Sequence, residues 1–175
     1  MDHHDRENSL GDPDSRSDGL AVESDRSGGP PSSRSGKKFV VFSLNNKLFA
    51  VSSSEVAEVV QPLPVSPIPG APASLSGLAN LRGEIIGVFS LKRFWNEEDL
   101  ATYEKTKLIV LKPRNSASRL AFEVDKLREI VTIDAADIDS ENIGVLSHVN
   151  GRVVRDEEPL FLVDLDSLTS ALSLD

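Results

Sequence analysis

The sequence predicts a mostly β protein, a barrel or sandwich of short strands, behind a disordered N-terminal arm. From Lys37 onward, apolar segments of roughly five to seven residues recur at intervals of about 8–12, as in all-β folds. Only brief amphipathic segments separate them, so nothing resembles the strand–long helix–strand alternation of a parallel α/β sheet. The third observation is a sharp change of composition at residue 36.

Residues 1–36 contain eight Asp or Glu, four Arg, eight Ser, five Gly and three Pro, with few sizeable apolar side chains. Such a segment cannot bury enough surface to offset roughly 1–2 kcal/mol of backbone entropy for each ordered residue. It also lacks the basic start and the apolar stretch of a signal peptide. We therefore expect a disordered acidic arm over residues 1–36 and one folded domain over residues 37–175.

Charge and composition narrow the class of function. The 175 residues carry 28 acidic and 19 basic side chains, seven Phe, one Trp, one Tyr and no cysteine. Nucleic-acid binders need basic stripes and aromatic platforms, so no nucleic-acid partner is expected. The lack of cysteine excludes disulfides and thiolate metal sites and fits a cytoplasmic protein. No apolar stretch of about 20 residues suggests direct membrane insertion.

The folded part opens with the segment KKFVVFSLNNKLFAV. Apolar side chains occupy both alternating sets of positions over residues 39–42, which is typical of a strand covered on both faces. Asn45-Asn46 tolerates positive φ and predicts a hairpin turn into a second strand over residues 48–51. In the following SSSEVAEVV, the serines can cap one helical turn before a β-branched strand.

The segment QPLPVSPIPGAPAS is dense in proline, which forbids a regular helix or a central strand. Because Leu63, Val65 and Ile68 alternate with the prolines, we interpret it as a stiff connection within the domain, with a ligand for an SH3-type partner as the alternative. The next segment, ASLSGLANL, is expected to form a short helix ending near Asn80. GEIIGVFSL then has the pattern of a strand.

The second half repeats this style. KRFWNEEDL is a brief amphipathic segment with Phe94 and Trp95 as anchors, and strands are expected in TKLIVLK, RLAFEVD, KLREIVTID, IGVLSHVNGRVV and LFLVDL. DSLTSALSL closes the chain as a short amphipathic helix with Leu168, Ala171 and Leu172 on one face.

Residues that could perform chemistry are few. His3 and His4 lie in the arm, where an unstructured pair makes a poor selective metal site, so no metal is expected. His148 stands beside Ser147, and with Asp164 a small serine hydrolase can be composed. There is no Gly-x-Ser-x-Gly elbow, and a histidine near a hairpin is the plainer interpretation.

Cofactor-binding patterns are also missing. Gly77, Gly83 and Gly87 lack the Lys-Ser/Thr pair of a phosphate loop, and the paired carboxylates Glu97-Glu98 and Glu157-Glu158 lie in polar turns. We therefore expect no cofactor and no enzyme, but a protein that binds other proteins.

The most specific motif is NLRGEII, residues 80–86. Together with FVVFSLNNKLFAV and EVAEVVQ before it, and LAFEVDKLREIVTID and HVNGRVVRDEEPLFLVDLDSL after it, this motif resembles the CheW-like family, the coupling proteins of bacterial chemotaxis arrays. The resemblance covers nearly all of the folded part and none of the arm. It implies two small five-stranded SH3-like β-barrels with short helices.

For function, the resemblance implies a non-catalytic scaffold. It would join the regulatory domain of a chemotaxis histidine kinase to the cytoplasmic tips of methyl-accepting receptors, in the cytoplasm at membrane-associated arrays. An adaptor of a chemosensory pathway with a non-flagellar output is the alternative, and the hydrolase built on Ser147 and His148 is a third hypothesis.

The resemblance places Arg82 near the receptor-facing surface and close to Glu58. Arginine is permanently charged and can grip a carboxylate with two parallel hydrogen bonds. We expect Arg82, steered by Glu58, to present its head beside an apolar patch formed by Val56 and Val59.

The residues around Arg82 are expected to form a turn. Gly83 would let the backbone reverse tightly and Asn80 would hold the turn by side-chain hydrogen bonds, with Leu81 completing the signature. The competing interpretation is that this is only a well-formed turn and that Arg82 and Glu58 are merely an internal pair.

Overall fold

The computed structural model describes residues 36–97, 106–113, 119–141, 143 and 146–172. The helices in these ranges are α1 (Leu91–Phe94) and α2 (Leu165–Leu172), and a 3₁₀ turn spans Ala135–Asp137. The strands are β1 (Lys37–Leu44), β2 (Lys47–Ser52), β3 (Val56–Val60), β4 (Val65–Ser66), β5 (Leu75–Leu81), β6 (Glu84–Ser90), β7 (Lys107–Leu111), β8 (Leu120–Val124), β9 (Lys126–Ile133), β10 (Val149–Arg155) and β11 (Glu158–Val163). The expected disordered arm, up to residue 35, and its two histidines lie outside the described residues.

The strands form two sheets. Sheet A has five strands in the order β10-β11-β2-β1-β9, and sheet B has six in the order β3-β7-β8-β6-β5-β4. Neighbours are antiparallel except for one parallel pair in each sheet, β11 with β2 and β6 with β8. The mostly β prediction is confirmed. Sheet A has the predicted five strands, whereas the two-residue strand β4 brings sheet B to six.

The chain builds the sheets in a nested order. It enters sheet A with β1 and β2, forms all of sheet B with β3 to β8, and returns to sheet A with β9 to β11. The return occurs at Asp125, the residue between β8 and β9. Sheet A therefore depends on pairing between the two ends of the domain, and Asp125 marks the boundary between the sheets.

Strand β1 is buried on both faces, as its doubled apolar pattern predicts. Val41 belongs to a cluster within sheet A, while its neighbour Val40 belongs to a cluster shared by both sheets. The β1–β2 hairpin closes through Asn45 and Asn46, whose φ angles are 47° and 66°. Positive φ at both central positions is what a type I′ hairpin turn requires, so the predicted hairpin is confirmed.

Three apolar clusters hold the fold together. One contains buried residues of sheet A alone, one contains buried residues of sheet B alone, and the largest joins both sheets to α2. The shared cluster includes Phe42 and Phe49 of sheet A and Phe89 and Phe122 of sheet B. Burying one such side chain contributes roughly 1.5–3 kcal/mol to the free energy of folding. Because this cluster contains residues of both sheets, it is the main apolar contact between them.

The prediction of a helix in ASLSGLANL is wrong, because Leu75–Leu81 of this segment form strand β5. Leu75, Leu78 and Leu81 recur at every third position, a spacing that favours a helix. In the structure Leu78 is exposed, while Gly77 and Ala79 are buried together with Leu75 and Leu81. This alternation has the period of a strand covered on one face. Pairing with β4 and β6 overrides the local spacing.

The proline-rich segment packs within the domain, as interpreted. Leu63 and Val65 contact the cluster of sheet B, and β4 pairs with β5 at the edge of the sheet, where nearby prolines are tolerated. Gly77 in β5 permits this approach, because a Cβ atom there would lie 2.2 Å from the carbonyl oxygen of Ser66. Ile68 remains exposed.

Helix α1 and the residue that follows it anchor sheet B to sheet A. The hydroxyl of Ser90 caps the helix by accepting a 3.5 Å hydrogen bond from the amide of Arg93. Trp95 stacks on Phe49 with a ring separation of 5.1 Å, and its Nε1 donates to the carbonyl oxygen of Ser147 at 2.8 Å. The predicted role of Trp95 as an anchor is confirmed.

Helix α2 covers the shared cluster with Leu165, Leu168 and Leu172. The expectation that Ala171 lies on this face is wrong, since Ala171 is exposed and Thr169 is buried in its place. The Thr169 hydroxyl is buried but forms a hydrogen bond within the helix, donating to the carbonyl oxygen of Leu165 at 2.6 Å. Neither helix of the described ranges is long and apolar enough to cross a membrane.

Candidate functional site

The β5–β6 hairpin ends in a two-residue turn made by Arg82 and Gly83. Leu81 pairs with Glu84 across it, and the φ angles of Arg82 and Gly83 are 52° and 90°. Positive φ at both positions is typical of the primed turns that match the twist of paired strands. Oδ1 of Asn80 accepts a 2.7 Å hydrogen bond from the Gly83 amide. The turn is therefore tied both by its backbone and by the Asn80 side chain.

Arginine is an unfavourable residue for its position in this turn. A residue with a Cβ atom loses roughly 1–2 kcal/mol in the left-handed region, which glycine adopts without penalty. Gly83 illustrates the contrast, because no atom lies within 4 Å of the place where its Cβ would stand, so glycine there serves the backbone angle alone. The backbone of this turn would therefore favour glycine over arginine at position 82.

Arg82 grips Glu58 with both ends of its guanidinium. Its two terminal nitrogens lie 2.8 Å and 3.1 Å from the two carboxylate oxygens of Glu58 in β3. This is the bidentate geometry that fixes an arginine most firmly. The Arg82 side chain is nevertheless 73% exposed, whereas that of Glu58 is 24% exposed. Glu58 thus orients a cationic group that remains available at the surface.

The Arg82–Glu58 contact also indicates that sheet B is curved. Three strand spacings separate β6 from β3 in the order of the sheet, or about 14 Å if the sheet were flat. The two side chains meet because the sheet curls around its own cluster, which contains Leu81, Ile86 and Val110. The site is therefore a product of the fold and not of the local motif alone.

The other predicted site residues lie elsewhere. Leu81 is buried in the cluster of sheet B, so it is a core residue beside the turn. Val56 and Val59 are half-buried and pack against the shared cluster. Because side chains alternate along a strand, Val59 points to the opposite face of β3 from Glu58. The structure brings Arg82, Glu58, Asn80 and Gly83 together, but it does not place Val59 beside them.

The sequence did not single out the apolar residues on the outer face of this hairpin. Ile85 is 54% exposed and lies directly opposite Asn80 in the pairing of β5 with β6, and Leu78 is exposed on the same face. A signal was present in the Ile85-Ile86 pair, because only one of two consecutive residues in a one-sided strand can be buried. Ile86 is the buried one.

The residues of the hydrolase hypothesis do not assemble into a triad. Nδ1 of His148 lies 2.6 Å from the hydroxyl of Ser167 and is not hydrogen-bonded to Ser147. The carbonyl oxygen of Ser147 instead accepts a hydrogen bond from Nε1 of Trp95. The carboxylate of Asp164 accepts from the amide of Ser167 at 3.0 Å, as the N-cap of α2. These residues secure the start of a helix. Across the part of the chain that the structure describes, no group of three or more His, Cys, Asp or Glu could hold a metal ion.

Comparison with known proteins agrees with this architecture. The model of the CheW-like domain family matches residues 38–173. The chemotaxis protein CheW of Treponema pallidum is 30% identical over 148 residues, covering 78% of this chain and 84% of that protein. CheW of Bacillus subtilis is 26% identical over 112 residues, covering 64% and 70%. The crystal structure of the scaffolding protein TtCheW from Thermoanaerobacter tengcongensis matches with a TM-score of 0.67 at 28% identity, over 74% of this chain and 85% of that one. Because the family match spans most of the sequence and both sheets, this chain belongs to the CheW-like family of chemotaxis coupling proteins.

Proposed function

We propose that this chain couples chemotaxis receptors to a histidine kinase by presenting the Arg82 turn to a receptor. As a member of the CheW-like family it is a non-catalytic adaptor of chemotaxis signalling. The assignment of the turn to the cytoplasmic tip of a methyl-accepting receptor rests on one observation. The guanidinium of Arg82 is held by a carboxylate in bidentate geometry and is still mostly exposed.

Energetics support a role in binding over a role in stability. An exposed ion pair contributes only about 0–1 kcal/mol, and the left-handed backbone of Arg82 costs about as much or more. The net gain in stability from arginine at this position is therefore close to zero. At the centre of an interface, truncating an arginine can cost 2 kcal/mol or more. Selection for a partner explains the residue, whereas selection for the turn does not.

Glu58 makes the arginine a better binding group. Holding a long side chain in one conformation before association reduces the entropy lost on binding. The guanidinium has five N–H donors, and the bidentate contact with Glu58 engages two of them. The remaining donors can meet a carboxylate or backbone carbonyl of a partner. We therefore expect an acceptor group on the receptor surface opposite Arg82.

The outer face of the hairpin supplies apolar area beside this charge. Ile85 and Leu78 are exposed on the face that carries Asn80. Interfaces commonly combine an arginine with apolar contacts in this way. The proposed receptor contact is thus an acceptor group for Arg82 flanked by apolar side chains for Ile85 and Leu78.

The kinase partner is proposed to be the regulatory domain of a chemotaxis histidine kinase. Together these contacts would place the chain at membrane-associated receptor arrays through its partners. A pathway with a non-flagellar output would use the same contacts, because output depends on what the kinase phosphorylates. Each contact is expected to be weak alone and to gain strength through multivalency.

Substitution of Arg82 tests the receptor contact. Arg82→Ala should weaken binding of the full chain to a receptor cytoplasmic-tip fragment by about thirtyfold or more, while the unfolding midpoint stays nearly unchanged. The matched control is Arg152→Ala, which removes an arginine paired with Asp139 in sheet A and should leave binding intact. Unchanged binding together with an earlier unfolding transition would show that Arg82 serves only the turn.

The kinase contact is tested separately. The full chain mixed with the regulatory domain of the cognate kinase should co-elute with it in size-exclusion chromatography, and Arg82→Ala should not abolish this complex. No co-elution even at high micromolar concentrations would refute the proposed kinase partner without affecting the receptor assignment.

A further inference from the structure

A lysine is buried where the two sheets meet. Lys92 is the second residue of α1, the helix that follows β6 of sheet B, and its side chain is only 6% exposed. It is the one charged residue in the buried class across the described part of the chain. Its Nζ lies 2.6 Å from Oδ1 of Asp125. Burying an ammonium group is strongly unfavourable unless a carboxylate accompanies it.

Asp125 connects this lysine to sheet A. It stands where the chain leaves β8 of sheet B and enters β9 of sheet A. Its second carboxylate oxygen accepts a 2.8 Å hydrogen bond from the amide of Asn45, in the β1–β2 turn of sheet A. Its own amide donates to the carbonyl oxygen of Ser43 at 3.0 Å. One carboxylate therefore holds the helix that follows β6 of sheet B and the β1–β2 turn of sheet A at the same time.

A more exposed contact runs in the same direction. Lys47 of β2 forms an ion pair with Glu97, and the Glu97 amide donates to the Lys92 carbonyl oxygen at 2.8 Å. Nδ2 of Asn45 lies 3.5 Å from the other carboxylate oxygen of Glu97. The start of sheet A is thus tied to α1 at two neighbouring points, one buried and one half-exposed.

We infer that the Lys92–Asp125 pair is a positioning contact that fixes the two sheets relative to each other. The hydrophobic effect that holds the apolar cluster between the sheets is not directional. An ion pair with a shared hydrogen bond adds preferences of distance and angle that apolar contacts lack. Replacing a buried pair by apolar groups is often neutral for stability, so its specific contribution is to geometry. In an adaptor, that geometry determines how a partner held by one sheet is placed relative to a partner held by the other.

Distance measurement between the sheets tests this inference in the isolated chain, whether or not the receptor contact is correct. The chain has no cysteine, so Ile85→Cys in sheet B and Val154→Cys in sheet A, both exposed, can carry spin labels uniquely. Pulsed electron paramagnetic resonance then gives the distribution of label distances. The variant Lys92→Met with Asp125→Asn removes both charges and keeps an acceptor for Asn45. We expect its distribution to become at least twice as wide.

The control is the pair Arg152 and Asp139, in which Arg152 lies in β10 of sheet A and Asp139 forms an isolated bridge with it. Arg152→Met with Asp139→Asn should leave the width unchanged. An unchanged width in the Lys92→Met, Asp125→Asn variant would overturn the inference, and so would equal broadening in the control.

If the variant Lys92→Met with Asp125→Asn does not fold, the substitution Asp125→Glu tests the inference instead. This variant keeps both charges and moves the carboxylate by one methylene, so the inference predicts a displaced or broadened distribution. A distribution identical to that of the unsubstituted chain would overturn it.

Discussion

Two ion pairs of similar length occupy opposite environments in this molecule. Arg82 and Glu58 approach to 2.8 Å at the surface of sheet B, and Lys92 and Asp125 approach to 2.6 Å where the sheets meet. The exposed fractions of the two cationic side chains are 73% and 6%. Distance alone therefore does not distinguish the pairs, whereas burial does.

The difference teaches how one type of contact can serve two purposes. Water screens the exposed pair, so the pair contributes little to the stability of the fold. Groups of a partner protein could therefore replace the water around the Arg82 guanidinium at a small cost in stability. The Lys92 side chain is almost fully shielded from water and that of Asp125 is 21% exposed, so removing the carboxylate beside the buried ammonium is strongly unfavourable. One pair therefore leaves a cationic group at the surface, whereas the other places one in the interior.

The largest effect is expected from removing the carboxylate that pairs with the buried lysine. Asp125→Ala deprives the buried ammonium of Lys92 of this partner and should lower the free energy of unfolding by about 3–5 kcal/mol. Chemical denaturation of the full chain measures it. The comparison is Asp139→Ala, which breaks the more exposed pair with Arg152 and should cost no more than about 1 kcal/mol. Equal losses for the two variants would contradict the assigned difference in environment.

The next effect contrasts two adjacent residues. Leu81 is buried in the cluster of sheet B, whereas Arg82 points to solvent. Leu81→Ala should cost about 2–4 kcal/mol of stability because it leaves a cavity in that cluster. Receptor binding, measured well below the unfolding transition, should be nearly normal. A variant that is as stable as the unsubstituted chain would show that Leu81 is not part of the core.

A smaller effect is expected at Gly83. Its φ angle of 90° is unfavourable for any residue with a Cβ atom, and no neighbour within 4 Å would clash. Gly83→Ala should therefore cost roughly 1–2 kcal/mol through the backbone alone. Thermal unfolding checks this value. A loss of more than about 3 kcal/mol would indicate that the turn is more tightly packed than the structure shows.

Local patterns predicted those parts of the fold that local chemistry decides. The doubled apolar pattern of β1 and the Asn45-Asn46 turn need only the rules of strands and turns, and both were correct. The segment of β5 was mistaken for a helix because its leucines recur at every third position. Pairing with two neighbouring strands decided that segment, and such pairing is not visible in the segment itself.

The candidate site around Arg82 could likewise be predicted only where local chemistry determines it. Local turn chemistry indicated Asn80 and Gly83, whereas Arg82 was indicated by the resemblance to the CheW-like family. The orientation of Val59 depends on which face of β3 turns toward the shared cluster, and the exposure of Ile85 depends on the pairing of β5 with β6. The contact between Lys92 and Asp125 joins distant segments and had no local signal. Long-range packing decided all three.

The smallest expected change in stability gives the most direct test of the central claim that Arg82 is present for a partner. Arg82→Gly removes the side chain and supplies the residue that the left-handed turn prefers. Its unfolding free energy and its dissociation constant for a receptor-tip fragment are measured on the same preparation. The predicted result is stability unchanged within about 0.5 kcal/mol, or slightly raised, together with binding weakened at least tenfold, or about 1.4 kcal/mol. Undiminished binding by this variant would contradict the account.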